Sequence, residues 1–61
     1  MLKLLIVDDE PVICNTIASA IDWNSLGIRL IGTCFDGVEA YHTILDEIPD
    51  IVMTDIRMPG M

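Results

Sequence analysis

Residues 4–11 read LLIVDDEP, a run of four apolar residues followed by three acids and a proline. A short run that is apolar on both faces is typical of a strand buried inside a parallel sheet. Pro11 suits the first turn of a helix, and acids just before it suit the helix N-terminus. The stretch therefore predicts a strand over residues 4–7 and a helix from Pro11 to about Asp22. The apolar face of this helix is predicted to carry Ile13, Ile17, Ala20 and Ile21.

The pattern of a strand followed by a helix occurs again further along the chain. A turn is predicted over residues 24–27, and the β-branched residues in 28–34 predict a second strand. Asp36 with Glu39 three residues later has the spacing of a helix capping box. Pro49 disfavours the α conformation at the residue before it and ends this second helix. The apolar face of the second helix is predicted to carry Val38, Tyr41, Ile44, Leu45 and Ile48.

Residues 51–54 predict a third strand, which ends at Asp55. The order is then βαβαβ with short connections, which favours an α/β fold with a parallel sheet and right-handed crossovers. We predict the strand order 2-1-3. A chain of 61 residues makes one small domain of marginal stability at most.

The composition excludes several classes of protein. A hydrophobic content of 52% argues against disorder, and a net charge of −7 argues against direct contact with nucleic acid. Cys14 and Cys34 form no CxxC pair, so buried free thiols in a reducing compartment are expected. The N-terminal apolar run is too short for a signal or membrane-spanning segment, so we expect a cytoplasmic protein that makes no membrane contact.

Acids follow both the first and the third predicted strand. In an open parallel sheet, ligands bind beyond the carboxyl ends of the strands where the strand order reverses, so Asp8 and Asp9 should lie near Asp55. Three converging carboxylates repel one another, and Mg²⁺, which prefers oxygen ligands, relieves that repulsion. The alternative is that Asp8 and Asp9 only cap the first helix and that Asp55 only begins a turn.

The stretches LLIVDDEP, DGVEA (36–40) and DIVMTDIRMPGM (50–61) together resemble the first half of the receiver domain of two-component response regulators. The resemblance spans the whole chain and implies a truncated flavodoxin-like receiver, with residues 1–61 as a partial domain. The stretch IDWNSLGIRLIGTCFDGVEA (21–40) resembles receivers attached to AraC-type helix-turn-helix transcription factors.

This resemblance implies roles for individual residues. Asp55 would be the phosphoacceptor, which takes a phosphoryl group from the phosphohistidine of a sensor histidine kinase. Asp8, Asp9, Asp55 and the backbone carbonyl of Arg57 would hold Mg²⁺. The protein would catalyse its own phosphorylation rather than act as a turnover enzyme, and would control a DNA-binding, transcriptional output domain outside this segment.

The sequence also departs from the family pattern. Receivers have five strands, with a Ser or Thr ending strand 4 and a Lys ending strand 5, and neither strand is present here. Lys3 lies at the opposite end of the first strand from Asp8 and cannot replace that lysine. We therefore interpret the sequence as an N-terminal piece of a longer protein.

Other readings of the sequence are possible. An FMN-binding flavodoxin needs a hydroxyl- and glycine-rich phosphate loop after the first strand, where this chain has Asp-Asp-Glu-Pro. A haloacid-dehalogenase-type phosphatase needs Asp-x-Asp, and a Walker B acid needs a P-loop elsewhere in the chain. The sequence contains neither motif. The strongest rival is a non-catalytic half-domain that only self-associates. His42 is expected to be a surface residue, and Trp23 and Phe35 are expected to border the core.

Overall fold

The computed structural model describes residues 1–54, which form a three-stranded parallel sheet with helices on its faces. The strands are β1 (Leu2–Val7), β2 (Ile28–Cys34) and β3 (Ile51–Thr54), and the sheet order is β2-β1-β3. The helices are α1 (Pro11–Ala20) and α2 (Gly37–Glu47), and a 3-10 helix (Trp23–Leu26) lies between α1 and β2. The predicted α/β class, element order and strand order are confirmed.

Strand β1 lies in the centre of the sheet, and its register brings the carboxyl ends of the strands level. Val7 pairs with Cys34 of β2 on one side and with Thr54 of β3 on the other. The β1–β2 register shifts once, since Leu4 pairs with Leu30 and Leu5 pairs with Gly32. Ile31 is therefore an extra residue, as in a β-bulge.

The core has two layers because successive side chains of β1 point to opposite faces of the sheet. Leu5 and Val7 pack with Cys34 and Ala40 of α2 on one face. On the other face, Leu4 and Ile6 pack with Cys14 of α1. All four apolar residues of LLIV are at most 2% exposed, as expected for a strand covered on both faces.

Helix α1 ends earlier than predicted, at Ala20 rather than near Asp22. The carboxylate of Asp22 instead accepts a hydrogen bond from the Ser25 amide and caps the 3-10 helix. The predicted apolar face is also partly wrong, since Ile13, Ala20 and Ile21 are exposed. The residues of α1 that pack in this core layer are Cys14, Ile17 and Ala18, which follow the i, i+3, i+4 spacing of a helix face.

Helix α2 begins where the capping pattern predicts. Oδ1 of Asp36 accepts a hydrogen bond from the Glu39 amide at 2.8 Å, and Ile48 ends the helix in the left-handed region with φ 49°. The five apolar residues predicted to share a face are at least 37% exposed, while Ala40 is buried. Over residues 1–54, three of the five, Val38, Tyr41 and Ile44, line an open groove of about 460 Å³ between α2 and β3.

Lys3, near the start of β1, connects the amino-terminal end of the sheet to the C-terminus of α2. Its Nζ donates to the carbonyl oxygen of Glu47, the last residue of the helix, where a cation is favourable to the helix dipole. Its backbone amide donates to Oδ2 of Asp50 at 2.7 Å, and the Asp50 amide donates to the Lys3 carbonyl at 2.9 Å. Lys3 thus lies at the far end of the sheet from Asp8, as predicted.

Candidate metal centre

Asp8 follows β1 directly and is held by its backbone and its side chain. Its amide donates to the carbonyl oxygen of Cys34 at 3.0 Å, which extends the ladder between β1 and β2 by one bond. Its Oδ1 accepts a hydrogen bond from the Glu10 amide at 3.0 Å. The residue is 9% exposed, so its carboxylate sits at the edge of the core and not on an open surface.

Asp9 and Glu10 complete the acidic segment, and both are exposed. Glu10 occupies the N-cap position of α1, but its side chain makes no capping hydrogen bond. The Asp8 carboxylate accepts from Glu10 itself, which lies before the first helical residue. The Asp8 carboxylate therefore accepts at the residue before α1 and not from an amide inside the helix.

Cys14 lies beneath this segment and contacts both ends of it. Its Sγ is 3.5 Å from the carbonyl oxygen of Asp8 and 3.8 Å from that of Cys34, with the thiol as donor. Its amide donates to the carbonyl oxygen of Glu10 at 3.2 Å. Burial, followed by the nearby negative charge of Asp8, raises the pKa of the Cys14 thiol, which keeps it protonated and able to donate.

The third and fourth predicted ligands, Asp55 and the carbonyl of Arg57, lie outside the described residues. Within residues 1–54, no cluster of three or more His, Cys, Asp or Glu side chains could hold a metal ion. What the structure places together are Asp8 and Asp9 at the end of β1, level with the end of β3.

The chemistry of these residues fits a magnesium site. Mg²⁺ takes oxygen ligands, keeps several waters and commonly uses one or two protein carboxylates. A carboxylate offers about four lone-pair positions, so the one hydrogen bond from Glu10 to Asp8 leaves acceptor capacity for a cation. Asp9 adds an exposed carboxylate at the next position.

Other residues considered from the sequence have structural roles or lie apart. His42 is exposed and packs edge to face against Tyr41, with ring centroids 5.8 Å apart, which confirms its surface position. Trp23 packs against the core layer that contains Cys14, whereas Phe35 is 38% exposed. Cys14 and Cys34 are free and buried, as predicted.

Sequence reasoning missed the contact between Cys14 and the acidic segment. Cys14 was predicted to be buried, but nothing connected it to Asp8. The available signal was its spacing: it lies four residues after Glu10, so its amide bonds back to Glu10 in the first helical turn and its side chain reaches the strand that precedes the acids.

Helices α1 and α2 are short, at 10 and 11 residues. Neither helix in residues 1–54 has the length and apolar character needed to cross a membrane.

Comparison with known proteins identifies relatives over nearly the whole chain. The family model for the response regulator receiver domain matches residues 4–61. YesN of Bacillus subtilis, an uncharacterized transcriptional regulatory protein, is 49% identical over 61 residues, which cover 100% of this chain and 17% of YesN. The transcriptional regulatory protein HptR of Staphylococcus aureus is 42% identical over 59 residues, or 97% of this chain and 23% of HptR. The chain thus spans less than a quarter of either regulator.

A solved structure has the same fold. The REC domain of AraT, a response regulator from Geobacillus stearothermophilus solved as its selenomethionine derivative, matches with a TM-score of 0.92 and 37% identity. The match covers 98% of this chain and 46% of that one. Since the family model extends over residues 4–61 and the fold agrees, the chain belongs to the response regulator receiver domain family of two-component systems.

Proposed function

We propose that the chain accepts a phosphoryl group on Asp55 from the phosphohistidine of a sensor histidine kinase, in a reaction that requires Mg²⁺. The observation that carries this proposal is the register of β1 and β3. Val7 pairs with Thr54, and the residues that follow these two in the sequence are Asp8 and Asp55. The carboxyl ends of neighbouring parallel strands are where ligands bind at a reversal of strand order.

The proposed reaction is a direct phosphoryl transfer. An oxygen of the Asp55 carboxylate attacks phosphorus and forms an O–P bond, while the P–N bond to the kinase histidine breaks and its electron pair leaves on the imidazole nitrogen. Asp55 ends as an acyl phosphate. Each molecule is modified once, so the chain promotes its own phosphorylation and is not a turnover enzyme.

The acids of β1 contribute by positioning and by charge. Asp8, Asp9, Asp55 and the backbone carbonyl of Arg57 are the proposed protein ligands of Mg²⁺. When bound, the ion neutralises charge on the phosphoryl oxygens, which is a main component of catalysis in phosphoryl transfer. The hydrogen bond from Glu10 to Asp8 orients one of these carboxylates before the ion arrives.

The output of the protein is inferred from its relatives. YesN and HptR are named as transcriptional regulators, and the sequence resembles receivers of AraC-type regulators. We infer that phosphorylation controls a DNA-binding region of a longer cytoplasmic protein. The segment itself carries a net charge of −7, which repels the phosphates of DNA, so it makes no direct nucleic-acid contact.

A second candidate function is association alone, without phosphoryl transfer. The observation in its favour is the apolar surface at the groove between α2 and β3, where Val38, Tyr41 and Val52 are each at least 40% exposed over residues 1–54. This candidate predicts no response to Mg²⁺, whereas the receiver function requires one.

Thermal unfolding with and without Mg²⁺ separates the two candidates. At about ten times the dissociation constant, a ligand that binds only the folded state stabilises it by about 1.4 kcal/mol, which is a rise in Tm of about 5 °C or more for a domain of this size. We expect this rise in the wild-type chain and a much smaller one in Asp9→Asn. Asp46→Asn, an exposed acid on α2, is the matched control and should respond as the wild type does. Equal responses of Asp9→Asn and Asp46→Asn would remove Asp9 from the proposed site.

A further inference from the structure

We propose that Cys14 is a positioning residue for the metal-binding acids, because its thiol and its amide hold the two ends of the segment that carries Asp8 and Asp9. This inference rests on the proposed magnesium site and adds a residue of a different chemical type to it. Cys14 does not touch the ion. It acts through the backbone of the acidic segment.

Cys14 forms hydrogen bonds with both ends of the acidic segment, at Asp8 and at Glu10. The thiol donates to the carbonyl oxygen of Asp8 at 3.5 Å, and the Cys14 amide donates to the carbonyl oxygen of Glu10 at 3.2 Å. Asp9 lies between these two anchored residues and is itself exposed. One buried residue therefore fixes the backbone before and after the exposed acid.

The bond to the Asp8 carbonyl bears directly on Asp9. The peptide group is planar, so fixing the carbonyl of Asp8 also fixes the amide and Cα of Asp9. On the N-terminal side of Asp8, its own amide donates a hydrogen bond to the carbonyl oxygen of Cys34 at 3.0 Å. The same thiol lies 3.8 Å from that carbonyl and so links the ends of β1 and β2 at the point where the acids begin.

The surroundings of Cys14 suit a donor that stays protonated. The residue is fully buried at 0% exposure, between Leu4 and Ile6 of β1 and the rest of α1. Of the side chains that can donate a hydrogen bond, a thiol is among the most compatible with an apolar core. An aliphatic residue of similar size would fill the space but leave the Asp8 carbonyl without this donor.

A role in core packing alone is the competing explanation, and Cys34 provides the control for it. Cys34 is also a buried free thiol, at 2% exposure, but its Sγ contacts Oγ1 of Thr43 at 3.4 Å on the other face of the sheet. Cys34→Ala therefore removes a comparable buried volume without removing a side-chain donor to the acidic segment. Cys14→Ala removes both volume and donor, and Cys14→Ser keeps a donor.

The test is a titration of each variant of the 61-residue chain with Mg²⁺, in which NMR monitors the amide signals of Asp9 and Glu10. Outer-sphere changes around metal ligands typically weaken binding about 10- to 100-fold, and a thiol is a weaker donor than most such groups. We expect the dissociation constant of Cys14→Ala to rise by about threefold to tenfold and that of Cys34→Ala to stay within about twofold of wild type. Cys14→Ser should recover most of the loss. Urea unfolding of the same samples measures stability separately.

A second readout does not depend on the ion. The ¹³C shift of the Asp8 carbonyl reports its hydrogen bond and should change in Cys14→Ala more than in Cys34→Ala or Cys14→Ser. An unchanged carbonyl shift, or equal Mg²⁺ affinity in Cys14→Ala and wild type, would overturn the role of Cys14 and leave the metal site intact. A wild-type chain whose Asp9 and Glu10 signals do not respond to Mg²⁺ would overturn the metal site and the role of Cys14 with it.

Discussion

Asp36 shows how one side chain sets the start of an element. Its Oδ1 accepts a hydrogen bond from the Glu39 amide, one of the helix donors that has no partner within α2. Replacing such a cap by alanine typically costs about 1 kcal/mol. We therefore predict that Asp36→Ala lowers the free energy of unfolding by about 1 kcal/mol in urea titrations. Asp46→Ala, at an exposed position near the end of the same helix, should cost much less, and equal losses would contradict the capping role.

The two buried thiols predict how stability depends on pH. Burial is the main cause that raises the pKa of both Cys14 and Cys34 above the ordinary value of 9.0. Below that value the thiols are protonated in the folded and unfolded chains, and their contribution is constant. As pH rises further, the unfolded chain loses these protons first, so stability falls as pH passes through the raised values.

Urea unfolding at a series of alkaline pH values checks this dependence. The comparison is between the wild type and the double variant Cys14→Ala with Cys34→Ala, since other groups that titrate in this range are common to both proteins. We expect the loss of stability with rising pH to be steeper in the wild type. Identical slopes would show that the thiols are not held protonated by the fold.

At the scale of single residues, the sequence predicts local features such as helix caps but does not predict tertiary contacts. The positions of Asp8 and Asp36 follow from an acid after an apolar run and from the spacing to Glu39, which are properties of neighbours in sequence. The contact between Cys14 and Asp8 depends on how α1 lies against β1. A one-dimensional pattern does not contain that packing.

Gly27 joins the 3-10 helix to β2 and controls where the second strand begins. It adopts the left-handed conformation with φ 73°, and its amide donates to the Asn24 carbonyl at 3.1 Å. A side chain at such a position costs about 1–2 kcal/mol even where space is open. We predict that Gly27→Ala destabilises the chain by about 1 kcal/mol in urea unfolding.

Gly32 is the matched control for this substitution. A Cβ at either glycine meets no atom within 4 Å, but only Gly27 has a positive φ. Gly32 lies inside β2, where alanine reduces the entropy of the unfolded chain, so Gly32→Ala should be neutral or stabilising by about 0.5 kcal/mol. A larger loss at Gly32 than at Gly27 would contradict this account of the turn.

Elements were predicted well where their signals are local. The start of α2 at Gly37 follows from Asp36, and its end follows from Pro49. The sequence predicts the end of α1 near Asp22 and so places it too late, because the carboxylate of Asp22 caps the next short helix. The bulge at Ile31 could not be foreseen, since register depends on the paired strand.

At the scale of the whole molecule, an exposed apolar surface favours association between copies of the chain, and the net charge opposes it. Over residues 1–54, apolar side chains of α2 and β3 line the groove of about 460 Å³, which favours association. The net charge of −7 repels a second copy, and salt screens that repulsion. We predict a mass that rises with protein concentration in analytical ultracentrifugation, and more steeply at high salt.

A pair of lysine substitutions locates this association. Val52 lines the groove, whereas Val12 is 75% exposed on α1 and is absent from it. Val52→Lys should shift the population towards monomer more than Val12→Lys does, although both change the charge equally. A folded monomer at all concentrations would show that the exposed groove does not drive association.

At this largest scale, the sequence predicts the fold but does not predict whether the apolar side chains of α2 are buried. In the order 2-1-3 the crossover through α2 carries the chain from β2 past β1 to β3, and β1 is apolar throughout its buried length because α1 and α2 cover opposite faces. The apolar stripe of α2 gave no indication that it would border an open groove. Whether a stripe is buried depends on the rest of the assembly.

The measurement that tests the central claim is the phosphate content of Asp55. Residues 1–61 replace the matching segment of the AraT receiver, whose fold agrees with a TM-score of 0.92, and the chimera is treated with acetyl phosphate and Mg²⁺ before intact-mass spectrometry. We predict one phosphate on the chimera, none on its Asp55→Asn variant, and one on the control Asp50→Asn. A chimera that still gains phosphate after Asp55→Asn would contradict the account.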